Sequence, residues 1–257
     1  MIIKNDIPIL EFDSDEGAVI MPTHEKRDLR LPRKCVYAFL GSYIDEYAKV
    51  HGALEVSRFI SVTKEYSIYV LKYKGEDICL CQAPAGSAPA AQIMDWLIGY
   101  GVKEIISAGS CGTLVNFEEN VFLVPYRALR DEGTSYHYMS PSRFAQINTD
   151  ARKAIEKALA AHGLLYREVI TWTTDGFYRE TKEKVAYRKS EGCEVVEMEC
   201  AALAACAYMR KAVWGSILFT ADTLADAENY DERGWGVDSF AYALELCLDA
   251  VINLENR

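Results

Sequence analysis

The chain has 257 residues, half of them hydrophobic and about a quarter charged, and it carries a formal net charge of −10 at pH 7. This length suits one large α/β domain with a substantial core. The acidic balance argues against nucleic acid or an anionic membrane as the main partner. No apolar run approaches the ~20 residues that cross a bilayer, and the first residues lack a signal-peptide pattern.

The cysteine and histidine content indicates how the chain uses its thiols. There are eight cysteines without a CxxC pair, several of them in apolar runs, and only four histidines. We therefore expect buried free thiols in a reducing cytoplasm and no metal site.

The chain divides into an arm and a domain. Pro8, Pro22 and Pro32 interrupt any helix in residues 1–34, which predicts an extended N-terminal arm. Apolar strand patterns then occur at 35–40, 54–82, 103–108, 121–125, 166–172, 194–196 and 213–220. Helical patterns occur at about 43–51, 91–100, 148–163, 181–190 and 197–209, and before about 254. This alternation predicts a single α/β domain over 35–257, with a central mixed, mostly parallel sheet flanked by helices.

The most distinctive stretch is Glu194–Met209, which reads EVVEMECAALAACAYM. A short β-type run leads into a helix that is apolar on almost every side, so the helix belongs inside the domain. Glu197, Met198 and Glu199 stand at the junction. Two carboxylates at the N-terminal end of a buried helix need hydrogen-bond partners, either backbone groups of the helix N-terminus or a ligand.

Other unusual residues follow the predicted strands, where α/β sheets bind ligands. Gly109 to Gly112 follow one strand, and the Ser110 hydroxyl with nearby amides suits either an anion or ribose oxygen or a plain turn. Phe177 and Tyr178 suit stacking on a flat heterocycle, or the core. A loop over 126–146 and another over 173–178 are predicted as irregular.

Asp222, in the motif FTAD, closes the strand over 213–220. A carboxyl at this point either caps the next segment or acts as a general acid.

The ordered motifs SAGSCG, TTDGFY, VEMECAA and FTAD resemble the nucleoside phosphorylase and nucleosidase family over about residues 20–254. EGTSYHY at 132–138 is closest to the uridine-phosphorylase-like branch. The resemblance implies a distorted barrel-like sheet and no metal or organic cofactor, with inorganic phosphate as a possible co-substrate. It also implies a homodimer or homohexamer whose subunits share active sites.

The resemblance assigns the ribose and base contacts. It implies that Met198 and Glu199 bind the ribose, with Glu199 accepting hydrogen bonds from its 2′- and 3′-hydroxyls. Phe177, with Tyr178 beside it, would stack on the base. Glu197 is the less defined member of the junction, either a substrate contact or a structural residue.

Further roles follow from the same resemblance. Asp222 would protonate a purine at N7, helped by Arg233, which is slightly displaced from the family position. Ser110, with Gly109 beside it, would contact phosphate. His24 would reach the 5′-hydroxyl in a neighbouring subunit, and Arg58 would be lent to a neighbour as a phosphate ligand.

The chain departs from the phosphorylase pattern at two positions. The family motif GDPxR is replaced by Gly41-Ser42-Tyr43-Ile44-Asp45, and Ser107 stands where the family has another arginine. Phosphate would lose two charge-assisted, bidentate partners.

Hydrolytic family members place a glutamate five residues after that glycine to activate water, and Glu46 has that offset. Glu46 is then either a general base or a surface residue of an acidic helix. Alternatively, Arg27, Arg30 and Arg33 of the arm restore a phosphate site.

These patterns predict an enzyme that cleaves the N-ribosidic bond of a ribonucleoside. Asp222 favours a purine, and both phosphate and water remain open as the nucleophile. The alternatives are a uridine-phosphorylase-like activity, a nucleosidase acting on a nucleotide through the basic arm, and a nucleoside-binding protein without catalysis.

Overall fold

The computed structural model describes residues 2–255, which form one α/β domain around a ten-stranded mixed sheet. The strands are β1 (Lys34–Ala38), β2 (Leu54–Ile60), β3 (Glu65–Tyr73), β4 (Glu76–Gln82), β5 (Glu104–Thr113), β6 (Phe122–Asp131), β7 (Phe144–Gln146), β8 (Arg167–Thr174), β9 (Cys193–Glu197) and β10 (Val213–Thr223). The α-helices are α1 (Tyr43–Val50), α2 (Ser87–Gly99), α3 (Ser135–Tyr138), α4 (Thr149–Ala161), α5 (Lys182–Ser190), α6 (Cys200–Met209) and α7 (Phe240–Ile252). The predicted single α/β domain is confirmed.

The strand order is β10-β6-β8-β9-β5-β1-β4-β3-β2, and β7 pairs with β6. β10 also pairs in parallel with β5, so the strands β5, β10, β6, β8 and β9 form a closed ring of pairings. The sheet is mixed, because parallel pairs such as β8–β9 lie beside antiparallel pairs such as β5–β9. The ring brings the ends of β5, β8, β9 and β10 to one place.

Helices cover the sheet on both sides, as expected for a sheet of apolar strands. One apolar cluster joins α2 and α6 to the sheet, and a second joins α1, α4 and α7 to the opposite side. The helix α6 is buried along eight consecutive residues, from Cys200 to Ala207, which explains its apolar sequence. All eight cysteines are buried and free, as predicted.

Three predicted boundaries are corrected by the structure. The glycine-rich segment, expected to follow the strand over 103–108, is itself part of β5, where Gly109 pairs with Leu218 and Gly112 with Val196. The helix α2 begins at Ser87 rather than at 91, because Gly86 supplies a backbone φ of 98° and proline is tolerated in a first helical turn. The stretch 126–146, predicted as irregular, contains the end of β6, the short α3 and β7.

The segment before β1 lies on the surface and contains one 3-10 turn, Pro8–Leu10. Most of its residues are exposed, but Leu31 is buried and its N–H donates to the Tyr100 carbonyl at 2.8 Å. Arg27 donates to the Ser57 hydroxyl and the Arg58 carbonyl. Across residues 2–255, we find no helix with the length and apolar character needed to cross a membrane.

The contact between α4 and β10 depends on a glycine. A Cβ at Gly215 would lie 2.7 Å from the Ala151 Cβ and 3.2 Å from the Ile155 Cδ1. We expect Gly215→Ala to lower the free energy of unfolding by about 1–3 kcal/mol, because the helix must shift to admit the methyl group. Urea denaturation measures this change.

Gly133→Ala is the matched control, since its added Cβ would meet nothing nearer than 3.9 Å. We expect that variant to stay within about 0.5 kcal/mol of the parent. Equal stability of both variants would contradict the tight packing of α4 on β10.

Candidate active site

The turn between β9 and α6 is fixed by the Glu197 carboxylate, which is 7% exposed. Its Oε1 accepts hydrogen bonds from the hydroxyls of Thr171 (3.1 Å) and Thr173 (2.6 Å) of β8. Its Oε2 accepts from the backbone N–H groups of Glu199 (2.7 Å) and Cys200 (2.6 Å). The carboxylate therefore joins two strands to the N-terminus of the buried helix, where a negative charge is favourable. In this structure Glu197 is a structural acceptor with both oxygens occupied.

Glu199, two residues further, projects toward the start of α2. Its Oε1 accepts a hydrogen bond of 2.5 Å from the Gly86 N–H. The Ser87 hydroxyl donates to the Met198 carbonyl at 2.6 Å, so the same turn is held from both sides. Burial, with the nearby Glu197 charge, raises the pKa of the Glu199 carboxyl to about 8.

Two adjoining cavities lie at this end of the strand ring. The inner cavity, of about 220 Å³, is lined by Phe39, Ala85, Gly109, Ser110, Cys111, Gly112, Phe177, Glu180, Val196, Glu197, Met198, Glu199, Asp222 and Trp235. The outer cavity, of about 500 Å³, is lined by Phe177, Tyr178, Glu180, Lys182, Val185, Asp222, Leu224, Asp226, Ala227, Tyr230 and Trp235. Phe177, Glu180, Asp222 and Trp235 line both cavities and so mark their junction.

Aromatic rings dominate the outer cavity. The Phe177 ring lies 6.5 Å from the Trp235 ring and 5.0 Å from the Tyr178 ring, measured between centroids. Phe177 and Trp235 are only partly covered, at 39% and 44% exposure. Such rings offer faces on which a planar heterocycle can stack.

Asp222 lies near the end of β10 and is 5% exposed. Burial raises the pKa of its carboxyl, against the opposing effects of the Tyr230 hydroxyl and the Arg233 charge. Gly112 makes room for it, since a Cβ there would lie 3.1 Å from the Asp222 Oδ1. A carboxyl with a raised pKa suits proton donation.

Arg233 is close enough to influence Asp222 but is held by the backbone. Its guanidinium donates to the carbonyls of Phe117 (2.9 Å) and Ala221 (3.3 Å). Arg233 lines neither cavity.

Glu180, which follows the 3-10 turn Phe177–Arg179, is a second acidic group at the junction. Burial, with the neighbouring Asp222 charge, raises the pKa of the Glu180 carboxyl to about 7. Sequence analysis missed Glu180 because it lies in the polar run RETKEK. It also missed Trp235, although an aromatic residue in a loop after a strand is the signal that identified Phe177.

Besides Arg233, three other predicted residues lie outside both cavities. Glu46 is exposed on α1 and accepts a hydrogen bond from the Ser42 hydroxyl at 3.0 Å. His24 is exposed, with its Nδ1 at 3.0 Å from the Met21 carbonyl. Arg58 on β2 pairs with Glu55 of the same strand and with Glu65 of β3. Within one chain, the general-base role predicted for Glu46 has no geometric support, because its helix directs it to the surface.

The two departures from the phosphorylase pattern also have defined surroundings. Ser107 is fully buried, and its hydroxyl accepts a hydrogen bond from the Trp214 Nε1 at 3.0 Å. Asp45 accepts from the Tyr69 hydroxyl at 3.0 Å. The Trp214 indole thus bonds the serine that stands where the resembled phosphorylases carry an arginine.

The inner cavity carries acidic groups without basic ones. Glu180, Glu197, Glu199 and Asp222 line it, and the lining contains no lysine, arginine or histidine among residues 2–255. Ser110, exposed on β5, adds a hydroxyl to the lining. In the same part of the chain, we find no group of three or more acidic, histidine or cysteine side chains arranged to hold a metal ion.

The chain matches the phosphorylase superfamily over residues 34–253, and it therefore belongs to that family. The match confirms the predicted relationship to nucleoside phosphorylases and nucleosidases. It also confirms the prediction that the protein is an enzyme.

Curated relatives carry different substrate names. The chain is 28% identical to a guanosine phosphorylase of Halorubrum lacusprofundi over 65% of this chain and 69% of the relative. It is 27% identical to a uridine phosphorylase of Thermococcus kodakarensis over 55% of this chain and 52% of the relative. Among solved structures, the AMP nucleosidase of Bacteroides thetaiotaomicron has the same fold, with a TM-score of 0.69, 22% identity and coverage of 86% and 88% of the two chains.

The dependence of the turn on Glu197 can be tested by substitution. Glu197→Ala removes the acceptor of two hydroxyls and two backbone N–H groups in the protein interior. Because each buried group left unsatisfied costs about 1–3 kcal/mol, we expect a loss of about 3 kcal/mol or more in the free energy of unfolding. Urea denaturation gives the value.

Glu194→Gln on the same strand serves as the control. Glu194 pairs with the exposed Arg167 at 2.6 Å, and such pairs contribute less than about 1 kcal/mol. A Glu197→Ala variant as stable as this control would contradict the structural role of Glu197.

Proposed function

We propose that the protein cleaves the N-ribosidic bond of a purine ribonucleoside. The observation that carries this proposal is the junction of two cavities, one containing Glu199 and the other lined by aromatic rings. Asp222, an acid with a raised pKa, lies where they meet. Membership in the phosphorylase superfamily supports the same reaction.

The inner cavity is the proposed ribose site. An ionised Glu199 accepts hydrogen bonds from the 2′- and 3′-hydroxyls, and the Gly86 N–H fixes the direction of its carboxylate. Two such bonds to a charged acceptor select ribose over a sugar without a 2′-hydroxyl. Met198, which also lines the inner cavity, covers the sugar.

The outer cavity is the proposed base site. The base stacks on the exposed faces of Phe177 and Trp235, and N7 of the purine faces Asp222. When the bond between C1′ and the base nitrogen breaks, its electron pair moves to the base, and N7 takes a proton from the acid. The nucleophile then bonds to C1′, which develops positive charge in the transition state.

We propose water as the nucleophile. The acidic lining of the inner cavity repels a phosphate dianion, and neither Ser107 nor Asp45 supplies the charge-assisted contacts that phosphate needs. An uncharged nucleophile avoids this repulsion.

Phosphorolysis is the second candidate, favoured by the 28% identity to a guanosine phosphorylase. In this case, basic side chains of a neighbouring subunit would complete the inner cavity. Arg58 on the edge strand β2 is the candidate for such a role, within the expected homodimer or homohexamer.

The direct test is product analysis with guanosine, inosine, adenosine, uridine and AMP, with and without phosphate. We expect free purine base and ribose in phosphate-free buffer. Ribose 1-phosphate that appears only with phosphate would establish phosphorolysis instead. Release of uracil would show that the substrate is a pyrimidine nucleoside, and a preference for AMP over adenosine would show that it is a nucleotide. Saturable nucleoside binding without base release would refute the enzymatic proposal.

Glu199→Gln separates a role in ribose binding from a role in helix capping. We expect kcat/KM for the best nucleoside to fall by about 100-fold or more, since hydrogen bonds to a charged acceptor contribute about 1.5–3 kcal/mol and the ribose makes two of them. Glu194→Gln is again the control, and its kcat/KM should change less than about 3-fold. Unchanged activity of Glu199→Gln would contradict the ribose assignment.

The same variant should gain stability at high pH. The raised pKa of Glu199 means that the protonated carboxyl stabilises the fold, and that this contribution is lost as pH rises through about 8. At pH 9, Glu199→Gln should therefore be more stable than the parent by about 1 kcal/mol or more, since one pKa unit corresponds to about 1.4 kcal/mol. Thermal and urea unfolding at pH 5 and pH 9 check the sign.

A further inference from the structure

Glu180 is the acidic group of the site that the proposed reaction leaves without a role. It lines both cavities together with Asp222, and within residues 2–255 its carboxyl forms no hydrogen bond or ion pair. A partly buried carboxyl without a hydrogen-bond partner carries a desolvation penalty, which the nearby Lys184 charge offsets only in part. Its position at the junction therefore points to a role in the reaction.

The groups that surround Glu180 come from three elements. They are Asp222, Asp226 and Tyr230 of β10 and the loop after it, Lys182 and Lys184 of α5, and Glu197 and Glu199 of the β9–α6 turn. Lys184 forms an ion pair with Asp131 at 3.1 Å, and Lys182 forms one with Glu228. The Lys184 charge still lowers the pKa of Glu180, but by less than burial and the Asp222 charge raise it. Asp222 also shares both cavities with Glu180.

Building on the proposed function, we propose that Glu180 and Asp222 share one proton, and that this is the proton taken up by the departing purine. Glu180 is the positioning residue of the pair. It holds the proton in the resting enzyme, so that a proton is available to Asp222 at neutral pH.

Two physical arguments support this pairing. Neighbouring buried carboxyls resist double ionisation, so the pair retains one proton at a pH where an isolated carboxyl has lost it. The Asp222 charge and burial raise the pKa of Glu180 to about 7, and a proton donor is most effective when its pKa lies near the working pH.

The proton balance of the cycle is complete. The C1′–N bond breaks, its electron pair goes to the base, and the shared proton goes to N7, so that both carboxyls are left ionised. The water that bonds to C1′ gives up one proton to solvent, and the pair regains one from solvent. With phosphate as nucleophile, the proton of the monohydrogen phosphate takes the place of the proton from water.

The test compares two ribosides that differ in the leaving group. A purine leaving group needs protonation, whereas p-nitrophenolate of p-nitrophenyl β-D-ribofuranoside departs without it. In the parent enzyme we expect kcat/KM for the purine nucleoside to fall as pH rises through about 7, because the shared proton is lost. In Glu180→Gln, this fall should move to lower pH, with at least a 10-fold loss at pH 7.5, while p-nitrophenyl riboside cleavage stays within about 3-fold of the parent.

Glu183→Gln is the matched control, because Glu183 is an exposed carboxyl three residues away on α5 and lines neither cavity. It should leave both pH profiles unchanged. An unmoved profile in Glu180→Gln, or an equal loss on both ribosides, would overturn the proposal. If the parent cleaves neither riboside, the proposed function fails.

A measurement without turnover tests the proton sharing independently. Carbon-13 NMR of the glutamate carboxyl carbons, assigned with Glu180→Gln, should show Glu180 titrating near pH 7 in the parent. In Asp222→Asn the same resonance should titrate at lower pH, because the neighbouring negative charge is gone. A Glu180 titration below pH 5, or one unaffected by Asp222→Asn, would refute the shared proton.

Discussion

The site depends on one buried carboxylate, that of Glu197. Four donors converge on it, two threonine hydroxyls from β8 and two backbone N–H groups at the start of α6. Each donor offsets part of the free energy needed to bury the charge, and the helix N-terminus adds a favourable dipole. Because these contacts fix the turn in two directions, the position of Glu199 is set by the fold before any ligand binds.

The same charge determines the electrostatics of its neighbours. Its proximity adds to burial in raising the pKa of the carboxyl of Glu199 and of the thiols of Cys111 and Cys200. A buried thiol with a raised pKa remains protonated and unreactive, so the cysteines serve as small apolar residues. Glu199 is therefore held in an environment that penalises its ionised form, which is the form that binds hydroxyl groups, and ligand binding must offset that penalty.

Local sequence identified the parts of the site that each element carries by itself. The run VEMECAA defines a strand, a turn and a buried helix within a few residues, and FTAD places Asp222 near a strand end. Sequence did not show that Gly109 to Thr113 continue β5, because that extension depends on pairing with β9 and β10, which are distant in the chain. Glu180 was missed for a related reason, since its polar surroundings in sequence become a partly buried junction only when β10 and the following loop pack against it.

The charges that line the inner cavity also bear on which substrate the site can bind. Four carboxyls line the inner cavity, and its lining in residues 2–255 contains no basic side chain to neutralise them. A dianionic group placed there would add repulsion to carboxyls that already resist ionisation, as the raised pKa values of Glu180, Glu199 and Asp222 show. In the proposed reaction, a neutral nucleoside and a neutral nucleophile avoid this repulsion. The one positive charge of that reaction forms on the sugar at the transition state, where ionised carboxylates would stabilise it. Under that proposal, the acidic lining that disfavours phosphate in the ground state is also the feature that favours bond cleavage.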